Sequence, residues 1–118
     1  MSEAVNVKSP VKHINKLVRD KIPEIIEASG QECKYDILTD DVEYISALEA
    51  KLWEEINEYL VNHSIEELFD IIDVLLALVD VRKCEDEIED IGQEKTKTHG
   101  NFSKRIYLKC VYPKGYSE

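Results

Sequence analysis

The spacing of apolar residues predicts a long helix in the first half of the chain. The apolar positions recur at steps of three and four, which is typical of one face of an amphipathic helix: Ile45, Leu48, Leu52, Ile56 and Tyr59. Asp40, followed three residues later by Glu43, has the spacing of a capping box and predicts the start of this helix. The helix is expected to end near Asn62.

A second long helix is predicted directly after the first. Ser64 and Glu67 repeat the capping spacing, and the apolar residues that follow surround the helix on nearly every side as far as Val81. Only a short join around His63 separates the two helices, so they are expected to be antiparallel neighbours.

This apolar helix needs more cover than one hairpin supplies, because a helix of this kind is buried on most of its sides. Pro23 and Gly30 bound only one further short helix before the hairpin. A second copy of the chain is therefore expected to cover the remaining apolar surface. The result would be a homodimer or higher homo-oligomer with a helical bundle across a twofold axis.

The flanking segments lack a long helical period. We interpret 1–10 as a loose lead-in, 31–38 as a connector, the acidic residues after Val81 as a solvated helix end, and 92–101 as a polar connector. Residues 106–112 are rich in β-forming side chains and predict a short strand. The expected fold is all-α, a single domain over 1–118 built as an antiparallel helical bundle, with a short β element near the C-terminus.

Charge and apolar content exclude several classes of protein. Asp and Glu number 25 against 15 Lys and Arg, so the phosphate backbone of a nucleic acid or an anionic membrane would repel the chain. The longest apolar run, 74–79, is far shorter than the roughly 20 residues of a membrane-spanning helix. No signal-peptide pattern is present near Met1, and the widely spaced Cys33, Cys84 and Cys110 suit a reducing compartment. The cytoplasm is therefore the expected location.

Carboxylates at three-residue steps lie on both predicted long helices. Glu55 and Glu58 lie on the first helix, and Glu67, Asp70 and Asp73 lie on the second. Residues three apart share a helical face, and the tight join makes the helices antiparallel, so these acids are expected to converge. Convergent, semi-buried carboxylates repel one another unless a cation neutralises them. Mg²⁺ takes oxygen ligands, waters and substrate phosphates, so the pattern indicates a metal site that suits a nucleotide.

Ordinary structural roles account for part of this acidic pattern. Capping explains Glu67, and ordinary solvated helix faces are the alternative explanation for Glu54, Glu58 and Glu66. Asp70 and Asp73 are not explained in this way, because their neighbours on the helix are apolar. Iron is disfavoured as the metal, since the Glu-x-x-His pairs of carboxylate di-iron bundles are absent from the sequence.

Four segments that occur in a fixed order carry a family resemblance. They read Asn-Lys-Leu-Val-Arg-Asp-Lys-Ile-Pro-Glu-Ile-Ile at 15–26, Lys-Leu-Trp-Glu-Glu-Ile-Asn-Glu at 51–58, Glu-Glu-Leu-Phe-Asp-Ile-Ile-Asp at 66–73, and Gly-Asn-Phe-Ser-Lys-Arg-Ile-Tyr-Leu at 100–108. With them the chain resembles the MazG-like branch of the all-α nucleoside triphosphate pyrophosphohydrolases, which are related to phosphoribosyl-ATP pyrophosphohydrolases. The resemblance implies Mg²⁺-dependent hydrolysis between the α- and β-phosphates, which yields a nucleoside monophosphate and pyrophosphate.

The resemblance also implies roles for individual residues. The metal-binding acids of the family correspond to Glu55, Glu58, Glu67 and Asp70, and Asp73 corresponds to a further ligand or to the group that orients the attacking water. The basic positions that contact the triphosphate correspond to Lys16, Arg19, Lys21 and Lys95. For the first three of these, charge balancing in an acidic protein is the alternative role.

Two departures from the family pattern leave the substrate undefined. Residues 99–102 read His-Gly-Asn-Phe where relatives often have Arg-Gly-Gly-Phe, and only eight residues separate Glu58 from Glu67. Trp53 and Tyr44 are candidate stacking partners for a base. Two other functions stay open: a non-catalytic acidic helical module that binds a protein partner, and a nucleotide-binding sensor that keeps the metal site without efficient hydrolysis.

Overall fold

Four helices make up the regular structure of the described chain. The computed structural model describes residues 10–117, and in chain order its helices are α1 (Ile22–Ala28), α2 (Asp41–Asn62), α3 (Ile65–Val81) and α4 (Glu85–His99). The all-α class and the three helices predicted before position 82 are thereby confirmed. The lead-in predicted for 1–10 lies outside the described residues except for its last position.

Local capping fixes the ends of the two long helices, as the sequence predicted. Asp40 accepts a hydrogen bond from the backbone N–H of Glu43 at 3.2 Å, and Ser64 accepts one from the N–H of Glu67 at 3.2 Å. Between the helices, His63 has a φ of 56°, the left-handed conformation that commonly ends a helix. The two helices pack against each other, and because only His63 and Ser64 separate them, they form an antiparallel hairpin.

The hairpin leaves much apolar surface exposed within one chain. Among residues 10–117, Leu48 is buried but no residue of α3 is. Phe69, Ile72 and Leu76 on α3 keep 54%, 50% and 60% of their surface exposed. The predicted shortage of cover for this helix is therefore present in the single chain. In the described part of the chain, none of the helices has both the length and the apolar content that crossing a membrane requires.

Two predictions for the C-terminal part of the chain are wrong. The supposed connector 92–101 lies largely within α4, whose acidic first turn and basic Lys97 and His99 in the last turn complement the helix dipole. These charges stabilise a helix that lacks an apolar period. Residues 106–112 form no strand: none of the described residues pairs with them in the ladder of backbone hydrogen bonds that a strand requires, and Tyr107 is 87% exposed.

The chain divides into two compact units, with the boundary after Lys83. The first unit holds α1, α2 and α3, and the second holds α4 and the segment that follows it. The acids and most of the bases singled out in the sequence lie in the first unit, whereas Lys95 lies in the second.

Candidate functional site

A cavity of about 380 Å³ lies between the α2–α3 hairpin and the segment that leads into α1. Apolar residues of all three elements form part of its wall, and Tyr44 also lines it. The charged residues that line it come from both sides: Arg19, Asp20, Lys51, Glu55, Asp70 and Asp73. Glu55 of α2 and Asp70 and Asp73 of α3 thus line one cavity, whereas Glu58 and Glu67, which were predicted to converge with them, do not line it.

Glu55 is the buried acid of this cavity, with only 5% of its surface exposed. Its Oε1 lies 3.5 Å from Nζ of Lys51, whereas its Oε2 is buried without a hydrogen-bond partner among the described residues. Burial raises the pKa of Glu55 above its ordinary value; Lys51 opposes this shift, and the charges of Glu58 and Asp70 add to it. The side chain therefore has an unused acceptor oxygen in a site that disfavours its negative charge.

Three carboxylates of α2 lie close enough to share one ion. One oxygen from each of Glu54, Glu55 and Glu58 lies within 4.8 Å of the other two. Hard divalent cations prefer such oxygen donors, although exposed acids also cluster without an ion. Of the acids predicted to bind metal, Glu55 and Glu58 belong to this group. Asp70 is near enough to Glu55 to repel its charge.

Two lysines hold Glu54 in place beside this group. Lys51 contacts its Oε1 at 3.1 Å, and Lys16 contacts its Oε2 at 3.2 Å. Burial raises the pKa of Glu54, but the hydrogen bonds from Lys51 and Lys16 outweigh burial, and the net shift is downward. Glu54 is therefore the acid that these two cations keep ionised, and it is not the freely solvated residue that the sequence suggested.

Arg19 binds two of the three acids of α3 that the sequence singled out, Asp70 and Asp73. Its Nη2 donates to Oδ1 of Asp70 and its Nη1 donates to Oδ2 of Asp73, each at 2.7 Å. These hydrogen bonds, first that to Asp73 and then that to Asp70, raise the pKa of Arg19 above its ordinary value. The guanidinium also lies over the ring of Phe69, 5.6 Å from its centroid. A residue expected to contact phosphate is thus engaged with two of the expected catalytic acids.

Glu67 serves the helix terminus rather than the group of α2 acids. Its Oε1 accepts hydrogen bonds from Oγ of Ser64 and Nδ2 of Asn62, both at 3.0 Å. Its Oε2 is buried and has no hydrogen-bond partner among the described residues. Capping therefore accounts for one oxygen of Glu67 and leaves the other available.

The remaining predicted phosphate contacts lie on the surface. Lys21 precedes α1 as its N-cap residue and is exposed. Lys95 is exposed on α4, in the second unit. Beyond it, His99 Nδ1 shares a hydrogen bond with Oγ1 of Thr98 at 2.7 Å, and Oδ1 of Asn101 accepts from the N–H of Ser103 at 2.9 Å. The roles that the resemblance implies for these residues stay predictions.

Sequence reasoning missed two residues of the site, Glu54 and Lys51. The signal for Glu54 is its position beside Glu55, which makes the motif Glu-Glu-x-x-Glu with Glu58. The signal for Lys51 is its position one helical turn before two acids. Glu54 follows it by three residues and Glu55 by four, and a lysine at these spacings reaches both carboxylates. Both signals are ordinary on solvated helices, and only the burial of Glu55 makes them informative here.

Comparison with known proteins leaves the family of this chain open. No family model matches the chain, and no solved structure matches it. A stretch of 42 residues is 57% identical to an uncharacterized protein of Mycolicibacterium smegmatis. The stretch covers 36% of this chain and 42% of that protein, so the chain matches less than half the length of this relative.

Proposed function

We propose that the chain is a Mg²⁺-dependent hydrolase that cleaves a nucleoside triphosphate between its α- and β-phosphates, with a nucleoside monophosphate and pyrophosphate as products. One observation carries the proposal: a single cavity brings together Glu55 of α2, Asp70 and Asp73 of α3, and the cations Arg19 and Lys51. Acids paired with cations at a cavity wall suit an anionic substrate that arrives with a metal ion. The family resemblance of the four ordered segments supports the same reaction.

The donor set fits a hard cation. Glu55 Oε2 and Glu67 Oε2 are buried oxygens without hydrogen-bond partners among the described residues, and a cation satisfies such atoms. We assign the metal to Glu55, Glu58, Glu67 and Asp70, with Glu54 as an additional oxygen donor beside Glu55. When bound, Mg²⁺ neutralises phosphate charge and lowers the pKa of a coordinated water.

The remaining side chains orient the reactants in this proposal. Asp73 accepts a hydrogen bond from the attacking water and holds it in line with the phosphorus atom. Lys16, Arg19 and Lys21 neutralise the triphosphate, and Arg19 suits this role because its planar fork matches phosphate oxygens. Tyr44, which lines the cavity, offers a ring on which a base stacks.

Assembly is part of the proposal. The exposed apolar side chains of α3, among them Ile72 and Leu76, are covered by a second copy in a homodimer or larger oligomer. The negative net charge favours a small cationic or metal-bound ligand over nucleic acid. Separately, we assign the chain to the cytoplasm.

Release of pyrophosphate tests the function directly. The purified chain is incubated with a panel of ordinary and damaged nucleoside triphosphates, with Mg²⁺ or with a chelator, and pyrophosphate and monophosphate are quantified. We expect equimolar products from at least one nucleotide and none with chelator. Thermal stabilisation by nucleotide and metal without product would instead identify a sensor, and no response to either would favour a protein-interaction module.

A further inference from the structure

Arg19 pairs with Asp70, which the proposal assigns to the metal, and with Asp73, which it assigns to the attacking water. Both of its terminal nitrogens are used, one on Asp70 and one on Asp73, at 2.7 Å each. Asp70 and Asp73 line the same cavity as Glu55, whose Oε2 is buried and unpartnered among the described residues. The acids of this cavity therefore include a buried oxygen of Glu55 that lacks a partner and two aspartate oxygens that the guanidinium of Arg19 already holds.

The same carboxylate oxygen cannot serve a guanidinium and a cation at full strength. Two positive charges on one carboxylate repel each other, and a guanidinium beside Asp70 also lowers the negative potential that attracts the metal. The ion pairs are breakable, because the side chain of Arg19 is 55% exposed and exposed pairs contribute little to stability. A triphosphate offers the displaced guanidinium the same bidentate oxygen geometry that the two aspartates offer.

We infer that Arg19 is a latch that makes the binding of metal and of the triphosphate chain mutually dependent, an inference that rests on the proposed function. Without ligands, Arg19 closes the site by bridging Asp70 and Asp73. Metal binding frees the guanidinium, which then binds the phosphates, so each ligand lowers the cost of binding the other. The metal alone consequently binds more weakly than the number of its donor oxygens suggests.

Binding of the metal alone separates this inference from the proposed reaction. Mn²⁺, used as the probe, is titrated calorimetrically into the full chain and into Arg19→Gln, with no nucleotide present. Because the variant no longer pairs with the two aspartates, we expect its Kd for Mn²⁺ to fall about tenfold. Arg19→Lys keeps the charge but lacks the fork, and its affinity is expected to lie between the two.

Lys12→Gln is the matched control. It removes one positive charge from the same segment, seven residues away, at an exposed side chain that has no ion pair to Asp70 or Asp73 in the structure. We expect its affinity for Mn²⁺ to differ from that of the unaltered chain by less than about twofold, since exposed charges at a distance are screened. Circular dichroism of each variant verifies that the helices are retained.

Three results overturn the latch. If Arg19→Gln and the unaltered chain bind Mn²⁺ with equal affinity, Arg19 is not a latch. If Asp70→Asn loses binding in the same experiment, the metal site itself is retained as a proposal. If Lys12→Gln gains as much affinity for Mn²⁺ as Arg19→Gln does, the effect comes from net charge and not from the latch. Absence of Mn²⁺ binding in the unaltered chain and in both Arg19 variants overturns the latch and the proposed metal-dependent hydrolysis together.

Discussion

The ammonium nitrogen of Lys51 lies 3.5 Å from Oε1 of Glu55, one helical turn further along α2. This contact lowers the pKa of Glu55 but only partly offsets the effect of burial, so the pKa is still raised. The repulsion from Glu58 and Asp70 adds to the effect of burial. Without a bound cation, the charge on Glu55 therefore reduces the free energy of unfolding.

The sign of this effect sets a pH dependence. A carboxyl whose pKa is higher in the folded state binds more protons there, so its contribution to stability is full below the unfolded pKa of about 4.3 and is lost as the pH rises through the folded pKa. We expect Glu55→Gln to raise Tm at pH 7 by a few degrees, which corresponds to about 1 kcal/mol. The gain should vanish as the pH is lowered toward about 4.

Glu49→Gln is the control for this pH dependence, because Glu49 is an exposed acid on the same helix. Thermal melts of both variants across that pH range, in chelator, provide the measurement. A Tm gain in Glu55→Gln that is the same at every pH would attribute the effect to packing rather than to charge.

Asp70 provides the sharpest test of the proposed chemistry. We expect Asp70→Asn to reduce pyrophosphate release by at least about 100-fold, because the change removes an anionic ligand of the proposed site. The fold should persist, since the side chain is half-buried and its partner Arg19 is exposed. Steady-state assays and circular dichroism measure the two outcomes.

Asp80→Asn makes the same chemical change on the same helix. Asp80 is exposed near the end of α3 and does not line the cavity. Its turnover should stay within about twofold of the unaltered chain, as expected for a surface substitution away from the site. Unaltered turnover in Asp70→Asn would remove Asp70 from the proposed mechanism.

The two helices of the hairpin, α2 and α3, were predictable because their signals are local. Asp40 and Ser64 cap α2 and α3 through hydrogen bonds to residues three positions later, and a sequence records that spacing directly. The bridge from Arg19 to Asp70 spans 51 positions, and no local pattern encodes it. Two antiparallel helices made it predictable that acids of both would lie near one another, but not which acids share the cavity or that Arg19 binds two of them.

The C-terminal predictions failed for a different reason. α4 lacks an apolar period and contains Gly92, which disfavours a helix interior by about 1 kcal/mol. Its helical signal is the order of its charges, from Glu85 in the first turn to Lys97 in the last. The β-forming residues around Tyr107 predicted a strand, but a strand needs a neighbour, and composition does not provide one.

The exposed face of α3 predicts an effect on assembly. If a second copy covers this face, Leu76→Glu places a charge in the interface and should convert the oligomer to a monomer. Light scattering after size-exclusion chromatography measures the mass. Ile37→Glu, at an apolar side chain that is 75% exposed between α1 and α2, should leave the mass unchanged. A monomer already present in the unaltered chain would contradict the proposed assembly.

The cap of α3 predicts a stability effect that is separate from the cavity. Ser64→Ala removes the acceptor for the N–H of Glu67 and the donor to its Oε1. We therefore expect the free energy of unfolding to decrease by about 1 kcal/mol, which lowers Tm by about 4–8 °C. Ser46→Ala, within α2 and exposed, should be neutral or slightly stabilising because alanine favours a helix. Equal Tm values for the two variants would show that the cap contributes little.

The two-residue turn between α2 and α3 fixes how far along each helix the acids of the cavity lie. Glu55 lies eight residues before His63 and Asp70 six residues after Ser64, which sets them about 12 Å and about 9 Å along their helices from the turn. An extra residue between Ser64 and Asp70 would rotate Asp70 by about 100° and turn it away from Glu55. Insertions and deletions are therefore compatible with the site when they fall in the segment between α1 and α2. The stretch from Glu55 to Asp70, by contrast, has to keep its length.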